Sequence, residues 1–406
     1  MRFMITALIL TLMMKKGRSE MLFHHDGFFS TPKMTLTQKL LHMHWPFVAL
    51  MTLTACIGFA MLYSAAGGDL DPWASRQMVR FVIGLVGMVV VALTDIRLWL
   101  RYAYAFYFLV LVLLVAVEIA GFVGMGAQRW INLGIFNLQP SELMKVALIL
   151  ALARYFHGGS IEDVGRPMFL VPPIFMIGLP AFLIVRQPDL GTTLMLCASG
   201  VAMFFAAGVR MWKFVLMGVL GLISAPVAWF TLLREYQKQR ILTFINPETD
   251  TLGSGYHIIQ SKIALGSGGM FGKGFMQGTQ SHLNFLPEKQ TDFIFTMLAE
   301  EFGMVGGMTL IGFYTLLLAY GFFIAMSSRS HFGRLVGIGV TVTFFLYVFI
   351  NIAMVMGLIP VVGVPLPLVS YGGTAMLTVM FGFGLLMCVH INRDLTIGRR
   401  DSGDEF

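Results

Sequence analysis

Residues 334–357 read RLVGIGVTVTFFLYVFINIAMVMG, and this stretch decides the class of fold. It carries no charged side chain after Arg334. A helix crosses the hydrocarbon core of a bilayer in about 20 residues, so the stretch is long enough to span a membrane. Because backbone N–H and C=O groups find no water inside lipid, we expect the stretch to be helical.

Comparable apolar runs recur along the whole chain. Of its 406 residues, 57% are hydrophobic and only 12% are charged, whereas a soluble domain carries about 25% charged residues. Too few polar side chains remain to cover a water-soluble globule of this size. We therefore predict an all-α polytopic membrane protein with about ten transmembrane helices. The predicted spans are 46–64, 79–94, 102–124, 142–156, 168–185, 190–208, 212–232, 293–326, 334–357 and 370–392.

The positions of Lys and Arg predict the orientation. These residues concentrate in the N-terminal segment, in alternate loops and in the C-terminal tail, and loops rich in Lys and Arg stay in the cytoplasm. We therefore predict a cytoplasmic extension at 1–44, a transmembrane domain at 45–392 and a cytoplasmic tail at 393–406. Met34 is an alternative start of the chain. The net charge of +7 follows from this topology, and no nucleic-acid partner is predicted.

The segment 233–292, between the seventh and eighth predicted spans, is the longest loop and lies on the periplasmic side of this topology. Loops of this length are usually functional or disordered. Glycines are frequent in it, yet apolar side chains such as Tyr256, Ile258 and Phe275 favour packing over disorder. We expect a re-entrant or surface-lying loop with an amphipathic helix near 255–265.

Two charged residues lie at the start of the fourth predicted span. Glu142 and Lys145 are three residues apart, so they share one face of a helix. Charges within spans are costly and are candidates for function. Two compatible interpretations remain open. The pair is an internal salt bridge that neutralises both charges, or it has a functional role, either as a substrate contact or as a brace for a catalytic carboxylate. Glu118, in the third predicted span, has no assigned role.

Two further polar segments face the outer side in this topology. Residues 186–192, RQPDLGT, hold Gln187 and Asp189. Asp189 either caps the next helix or helps to line a headgroup site. Residues 236–240, YQKQR, hold Arg240, which either anchors the loop at the membrane surface or recognises a diphosphate.

The strongest candidate for chemistry is Asp292, in PEKQTDFIF at 287–295. Three apolar side chains follow it at once, so its carboxyl lies at the lipid boundary. Low dielectric raises the pKa of a carboxyl and a neighbouring Lys289 lowers it, and a general base requires such tuning. The alternative role for Asp292 is a simple helix N-cap. The Pro- and Gly-rich segment 363–373 predicts a broken helix, either the wall of an outer cavity or a packing kink.

Five segments resemble motifs of one known family. They occur in the order found in SEDS proteins (shape, elongation, division and sporulation), at 139–142, 187–192, 255–269, 286–295 and 365–373. The resemblance extends from about residue 41 to about residue 390. The segments 236–240 and 257–264 are more similar to the elongation type, RodA, than to the division type, FtsW.

The resemblance implies a peptidoglycan glycosyltransferase of the bacterial inner membrane. Such enzymes polymerise lipid II and act with a class B penicillin-binding protein, here among the elongasome proteins. Asp292 corresponds to the family's essential aspartate, which we interpret as the general base, and Glu142 and Lys145 correspond to its buried supporting pair. The candidate substrate-binding residues are Glu288, Lys289, Lys262, Arg240, Arg129, Asp189, Gln187 and His257.

No cofactor is firmly predicted. The sequence has no nucleotide-binding motif and no His/Cys metal spacing. A divalent cation, Mg²⁺ or Mn²⁺, could share the task of binding the diphosphate.

A lipid II flippase is the main alternative function, because transporters also place charges and broken helices in membrane cavities. A flippase should show a charged path through the midplane, whereas most polar groups here gather at the outer face. A scaffold for the division or elongation machinery is a third alternative. It would leave the placement of Asp292 and Glu288 without a purpose.

Overall fold

The computed structural model describes residues 34–124, 127–132, 137–231, 235–249, 254–282 and 288–398, and the structural statements below concern these residues. The chain divides into two compact units, 1–42 and 43–406. In the first unit, helix α1 (Leu36–Leu41) follows Thr35, whose side chain accepts a hydrogen bond from Gln38 N. Most of the predicted N-terminal extension lies outside the described residues.

The second unit is built almost wholly from helices. In chain order they are α2 (Trp45–Ala65), α3 (Ala74–Leu93), α4 (Ile96–Ala120), α5 (Pro140–Gly158), α6 (Ile161–Val164), α7 (Pro167–Arg186), α8 (Leu190–Ala206), α9 (Met211–Thr231), α10 (Glu235–Ile245), α11 (Ser254–Ser267), α12 (Thr279–His282), α13 (Ile294–Ser327), α14 (His331–Val355) and α15 (Gly373–Ile391). A 3₁₀ turn, Pro247–Thr249, lies between α10 and α11.

Seven described helices are long and apolar enough to cross a membrane, namely α2, α3, α4, α7, α13, α14 and α15. Two shorter apolar helices are α8 and the first part of α9, Met211–Ser224. α5 is also apolar, but it carries the charged residues Glu142, Lys145 and Arg154. The chain is therefore a multi-pass helical membrane protein, as predicted, and the count of ten spans remains a prediction.

Three short strands depart from the all-α prediction. β1 (Phe122–Gly124), β2 (Ala127–Asn132) and β3 (Asn137–Leu138) pair antiparallel in the order β1-β2-β3. α4 ends at Ala120, not at 124, because the backbone becomes extended at Gly121. A short apolar run does not by itself distinguish helix from strand, so hydropathy extended the third predicted span too far.

The core of the second unit lies around α5, α14 and α15. Every residue of α5 from 144 to 153 is buried, as expected for a helix that is apolar on all sides. In the most apolar part of each helix, 67% of α14 and 78% of α15 is buried, against 22% of α4. Glu142 and Lys145 therefore lie inside the protein and do not face lipid, whereas Arg154 is half-buried.

The long loop contains the helix that the sequence predicts near 255–265. α11 buries every third residue from Gly255 to Ala264, which gives the helix one buried face. On that face, Ser261 Oγ donates to Val355 O (2.8 Å) at the end of α14. α11 is therefore fixed beside the segment that follows α14.

α13 is broken at Gly303, whose φ of +66° is left-handed. The backbone of 268–274 forms hydrogen bonds with the backbone of α13 on both sides of the break. For example, Gly274 N donates to the Glu301 carbonyl (3.0 Å). In a continuous helix that carbonyl would accept from the residue four positions later. A side chain at Gly272 would collide with the same carbonyl. The glycines of the loop thus permit close backbone contact, and the loop packs against α13, in agreement with the prediction.

Candidate active site

Asp292 lies in a tight turn just before α13. Thr291 N (3.2 Å) and Phe293 N (3.3 Å) both donate to Glu288 O, and Thr291 Oγ1 donates to Glu288 Oε2 (2.9 Å). Phe293 holds the N-cap position of α13, and no side chain caps this helix. The interpretation of Asp292 as a simple N-cap is therefore wrong.

This turn packs against the non-helical segment 358–372, which joins α14 to α15. Asn351 Nδ2, from α14, donates to both Asp292 O (2.9 Å) and Val364 O (2.7 Å). A Cβ on Gly363, where φ is +73°, would lie 3.3 Å from Asp292 Oδ2. The predicted broken helix thus forms a wall beside the Asp292 carboxyl.

The surroundings of Asp292 adjust its acidity. Burial, and then the neighbouring Glu288 carboxylate, raise the pKa of Asp292 to about 7, against the opposing effect of the Arg240 guanidinium. Burial also lowers the pKa of the Lys289 ammonium. The sequence predicts that Lys289 lowers the Asp292 pKa, whereas the structure places Arg240 in that role. A carboxyl with a pKa near neutrality is suited to accept a proton in a reaction.

Glu142 and Lys145 form a closed, buried cluster with Tyr347 of α14. Lys145 Nζ lies 2.7 Å from Glu142 Oε1, and these side chains are 1% and 6% exposed. Lys145 also donates to the Tyr347 hydroxyl, which donates to Glu142 Oε2. Each charge is therefore partnered inside the protein. This arrangement supports the internal salt bridge, and a role of the pair in substrate contact remains a prediction.

Three other candidates hold a turn between α7 and α8. Asp189 caps α8, accepting from Thr192 N (3.2 Å) through Oδ1 and from Thr192 Oγ1 (2.9 Å) through Oδ2. Gln187 Nε2 donates to a carbonyl of α4, and Arg129 Nε donates to Gln187 O (3.0 Å). Gly191 packs on the Val362 carbonyl, so this turn touches the same 358–372 segment. The contacts give these residues a structural role, and substrate binding by them remains a prediction.

Two candidates lie on α11. The His257 ring is 6.1 Å from the Phe293 ring, which places His257 beside the Asp292 turn. Lys262 is exposed and packs against Gly357 at the end of α14. The candidates that the structure brings around one turn are therefore Asp292, Glu288, Lys289, Arg240 and His257.

The structure also bears on the predicted divalent cation and on the role of Glu118. Within the described ranges, no three His, Cys, Asp or Glu side chains form a group that could hold a metal ion, and the binding of a divalent cation remains a prediction. Glu118, which had no assigned role, pairs with Arg186 at 3.1 Å.

A family model and several known proteins match this chain. The model described as the cell cycle protein family FtsW/RodA/SpoVE matches residues 44–395. The chain belongs to this family.

Relatives of this FtsW/RodA/SpoVE protein cover most of its length. It is 44% identical over 354 residues to the peptidoglycan glycosyltransferase MrdB of Escherichia coli K12, which covers 85% of this chain and 93% of MrdB. It is 36% identical to stage V sporulation protein E of Bacillus subtilis, covering 84% of this chain and 94% of that one. The SEDS resemblance of the sequence is thereby confirmed.

Solved structures of family members share the fold. A chain from a peptidoglycan synthase complex that coordinates polymerization and crosslinking is 31% identical, with a TM-score of 0.75, over 87% of this chain and 98% of that one. The rod shape determining protein RodA of Thermus thermophilus is 28% identical, with a TM-score of 0.66, over 87% and 98% of the two chains.

The family motifs do not single out two polar residues of α14. Tyr347 closes the Glu142–Lys145 pair, and Asn351 holds the Asp292 turn. They are four residues apart, so they lie on one face of the helix. A stripe of polar side chains within an otherwise apolar span is the sequence signal that would have found them.

Asn351→Leu in this FtsW/RodA/SpoVE protein is expected to lower the free energy of unfolding by about 1–3 kcal/mol, because two carbonyls lose a buried donor. Thermal unfolding in detergent measures the effect. Thr309→Val is the control, since Thr309 is exposed on α13 and its hydroxyl bonds to Val305 of the same helix. Equal unfolding temperatures for the two variants would contradict the assigned role of Asn351.

Proposed function

We propose that this protein is a peptidoglycan glycosyltransferase of the elongation type, which polymerises lipid II at the outer face of the bacterial inner membrane. The 44% identity to MrdB supports this activity. The observation that carries the mechanism is the Asp292 carboxyl, held beside Gly363 with a pKa of about 7.

Asp292 acts as the general base in the proposed reaction. Its carboxylate accepts the proton of the acceptor sugar's 4-hydroxyl, and that oxygen bonds to the anomeric carbon of the donor. The bond from this carbon to the diphosphate breaks, and undecaprenyl diphosphate leaves with the bonding electrons. Inversion follows if the two oxygens lie on opposite faces of the sugar. Cations such as Arg240, Lys289 and Lys262 offset the charge of the leaving group.

The proposed topology places this chemistry outside the cell membrane. α5, α8 and α9 join the seven longer helices to give ten spans, with both termini in the cytoplasm. The 233–292 loop and the Asp292 turn are then periplasmic. The surplus of Lys and Arg in the opposite loops supports this orientation.

A crosslinking enzyme is the proposed partner. The similar chain of known structure belongs to a complex that coordinates polymerization with crosslinking, which supports a class B penicillin-binding protein beside this chain. We extend the proposal to an elongasome setting on the basis of the MrdB and RodA likeness.

A polymerisation assay in detergent tests the proposed function against the flippase alternative. Purified protein with its crosslinking partner and lipid II should produce glycan chains although no leaflets are present. A flippase would produce none under these conditions and would instead move lipid II across liposome membranes. The Glu142–Lys145–Tyr347 cluster favours the polymerase, because these two charges pair with each other in the core and their side chains are at most 6% exposed.

The rate of polymerisation is expected to rise with pH and to level off above an inflection near 7, the pKa of Asp292. Only the carboxylate can accept a proton. The folded pKa exceeds the unfolded value of about 4, so the contribution of Asp292 to stability falls as the pH rises through about 7. A profile of kcat between pH 5 and 9, roughly the range that brackets this inflection, measures the effect.

Two variants whose pH inflections should shift in opposite directions provide the control for this profile. Glu288→Gln removes a negative charge and should move the inflection to lower pH, whereas Arg240→Gln should move it to higher pH. An inflection that stays in place in both variants would assign the titration to another group.

A further inference from the structure

Arg80, on α3, is a charged residue within a membrane-spanning segment that the family motifs do not include. Such residues are costly and usually serve a function. Its guanidinium carbon lies 4.7 Å from the centre of the Tyr371 ring, a cation–π contact that fixes its position. Three residues earlier on the same helix face, Gln77 Nε2 donates to Ser370 O (2.8 Å). α3 is thereby bound to the end of the 358–372 segment.

The charge of Arg80 is not matched by a carboxylate within the described ranges. None of the ion pairs found there includes it, and its Nη1 is buried without a hydrogen-bond acceptor. Buried guanidinium N–H groups nearly always have an acceptor, and leaving one without an acceptor is costly. An unmatched cation of this kind indicates a site for an anionic ligand.

Two adjacent residues, Tyr371 and Ser370, connect Arg80 to the Asp292 turn. Tyr371, on which its guanidinium stacks, donates its N–H to Gln290 O (2.8 Å). The preceding Ser370 Oγ donates to Thr291 O (2.5 Å). A cation held in this way has a fixed position relative to the residue proposed as general base.

The local backbone leaves room for the guanidinium. A Cβ on Gly373 would lie 3.1 Å from Arg80 Nε, closer than side chains normally approach. Tyr371 covers one face of the guanidinium and Nη1 is buried. Arg80 as a whole is only half-buried, so a ligand can approach the N–H edge that remains accessible. Such an edge matches two oxygens of a phosphate.

We propose that Arg80 binds phosphate oxygens of the lipid-linked diphosphate. The identity of this ligand rests on the proposed function, because a diphosphate is the anion that the proposed reaction brings to the Asp292 turn. Arg80 is thus a substrate-binding residue beyond those that the sequence predicts. It holds the leaving group while the acceptor oxygen attacks from the side of Asp292.

A binding experiment tests this without turnover. Undecaprenyl diphosphate is titrated into detergent-purified protein carrying Asp292→Asn, with undecaprenol as the uncharged probe. Adding Arg80→Gln should weaken diphosphate binding by about 10- to 100-fold, the range for a lost hydrogen bond between charged groups. Arg80→Lys should give an intermediate loss, and undecaprenol binding should not change.

Arg76→Gln is the matched control. Arg76 lies one turn earlier on α3 and is exposed, so this variant removes the same charge from the same helix. It should bind the diphosphate within about twofold of the parent, which corresponds to less than half a kcal/mol. Diphosphate binding that is equally tight in the Arg80→Gln and Arg76→Gln proteins would overturn the proposal.

Two additional measurements identify which lipid supplies the phosphate and replace Arg80→Gln if that variant does not fold. Phosphatidylglycerol replaces undecaprenyl diphosphate in a parallel titration, and an equal dependence on Arg80 would overturn the proposal in favour of a general lipid anchor. If Arg80→Gln does not fold, Gly373→Ala, which displaces Nε, should weaken diphosphate binding in its place. If binding depends on Arg80 but the parent protein with Asp292 intact makes no glycan from lipid II, the proposed function alone is refuted.

Discussion

Asp292→Asn is expected to lower the kcat for glycan synthesis from lipid II by about 10²- to 10⁴-fold. The amide fills the space beside Gly363 but cannot accept a proton from a sugar hydroxyl. The backbone of the turn stays in place, because Asn351 binds the main-chain carbonyl of residue 292 and not its side chain. The loss should therefore appear in kcat, with KM changed little.

The experiment separates catalysis from folding. Burial disfavours the ionised Asp292 carboxyl, so the asparagine variant should unfold at a temperature no lower than the parent at pH 8, about one unit above that pKa. Glu235→Gln is the control, since Glu235 belongs to the same long loop and its side chain is 91% exposed. Glycan chains of normal yield from the Asp292→Asn protein would remove this residue from the mechanism.

Glu142→Gln and Lys145→Met are each expected to destabilise the protein by about 3–5 kcal/mol, because each leaves an uncompensated charge in the core. The two side chains are 6% and 1% exposed, so water cannot solvate the charge that remains. The free energy of unfolding in a mild detergent, and the yield of folded protein, measure the effect.

A double variant distinguishes charge burial from packing. Glu142→Gln combined with Lys145→Met removes both charges, so its destabilisation should be smaller than the sum of the two single effects. The pair of Lys238 and Glu235 has the same spacing and a similar distance, 2.9 Å, and its Glu235 side chain is 91% exposed. Breaking this pair should cost less than about 1 kcal/mol. Additive effects at Glu142 and Lys145 would argue against a coupled pair.

Several site residues could be predicted from the sequence because their roles depend on near neighbours in the chain. Glu142 and Lys145 meet because three residues bring side chains together on a helix. Asp189 caps α8 by binding Thr192, three positions later. Asp292 could be placed at the edge of an apolar helix by the run that follows it.

Other roles were assigned wrongly or not at all, because the contacts join distant parts of the chain. Arg240, and not Lys289, lowers the Asp292 pKa, although Lys289 is only three residues away. Tyr347 reaches Glu142 across the core, and Arg80 reaches Tyr371. These contacts join residues that are far apart in the sequence, so no local pattern of residues predicts them.

The sequence by itself determined the helical, membrane-spanning class of this protein, because lipid forces each long apolar segment to satisfy its own backbone hydrogen bonds. The tertiary structure alone decided which polar groups meet. Packing α14 against the 358–372 segment sets Asn351 and Gly363 beside Asp292. It also removes water from that carboxyl, and the removal of water is what moves its acidity toward neutrality.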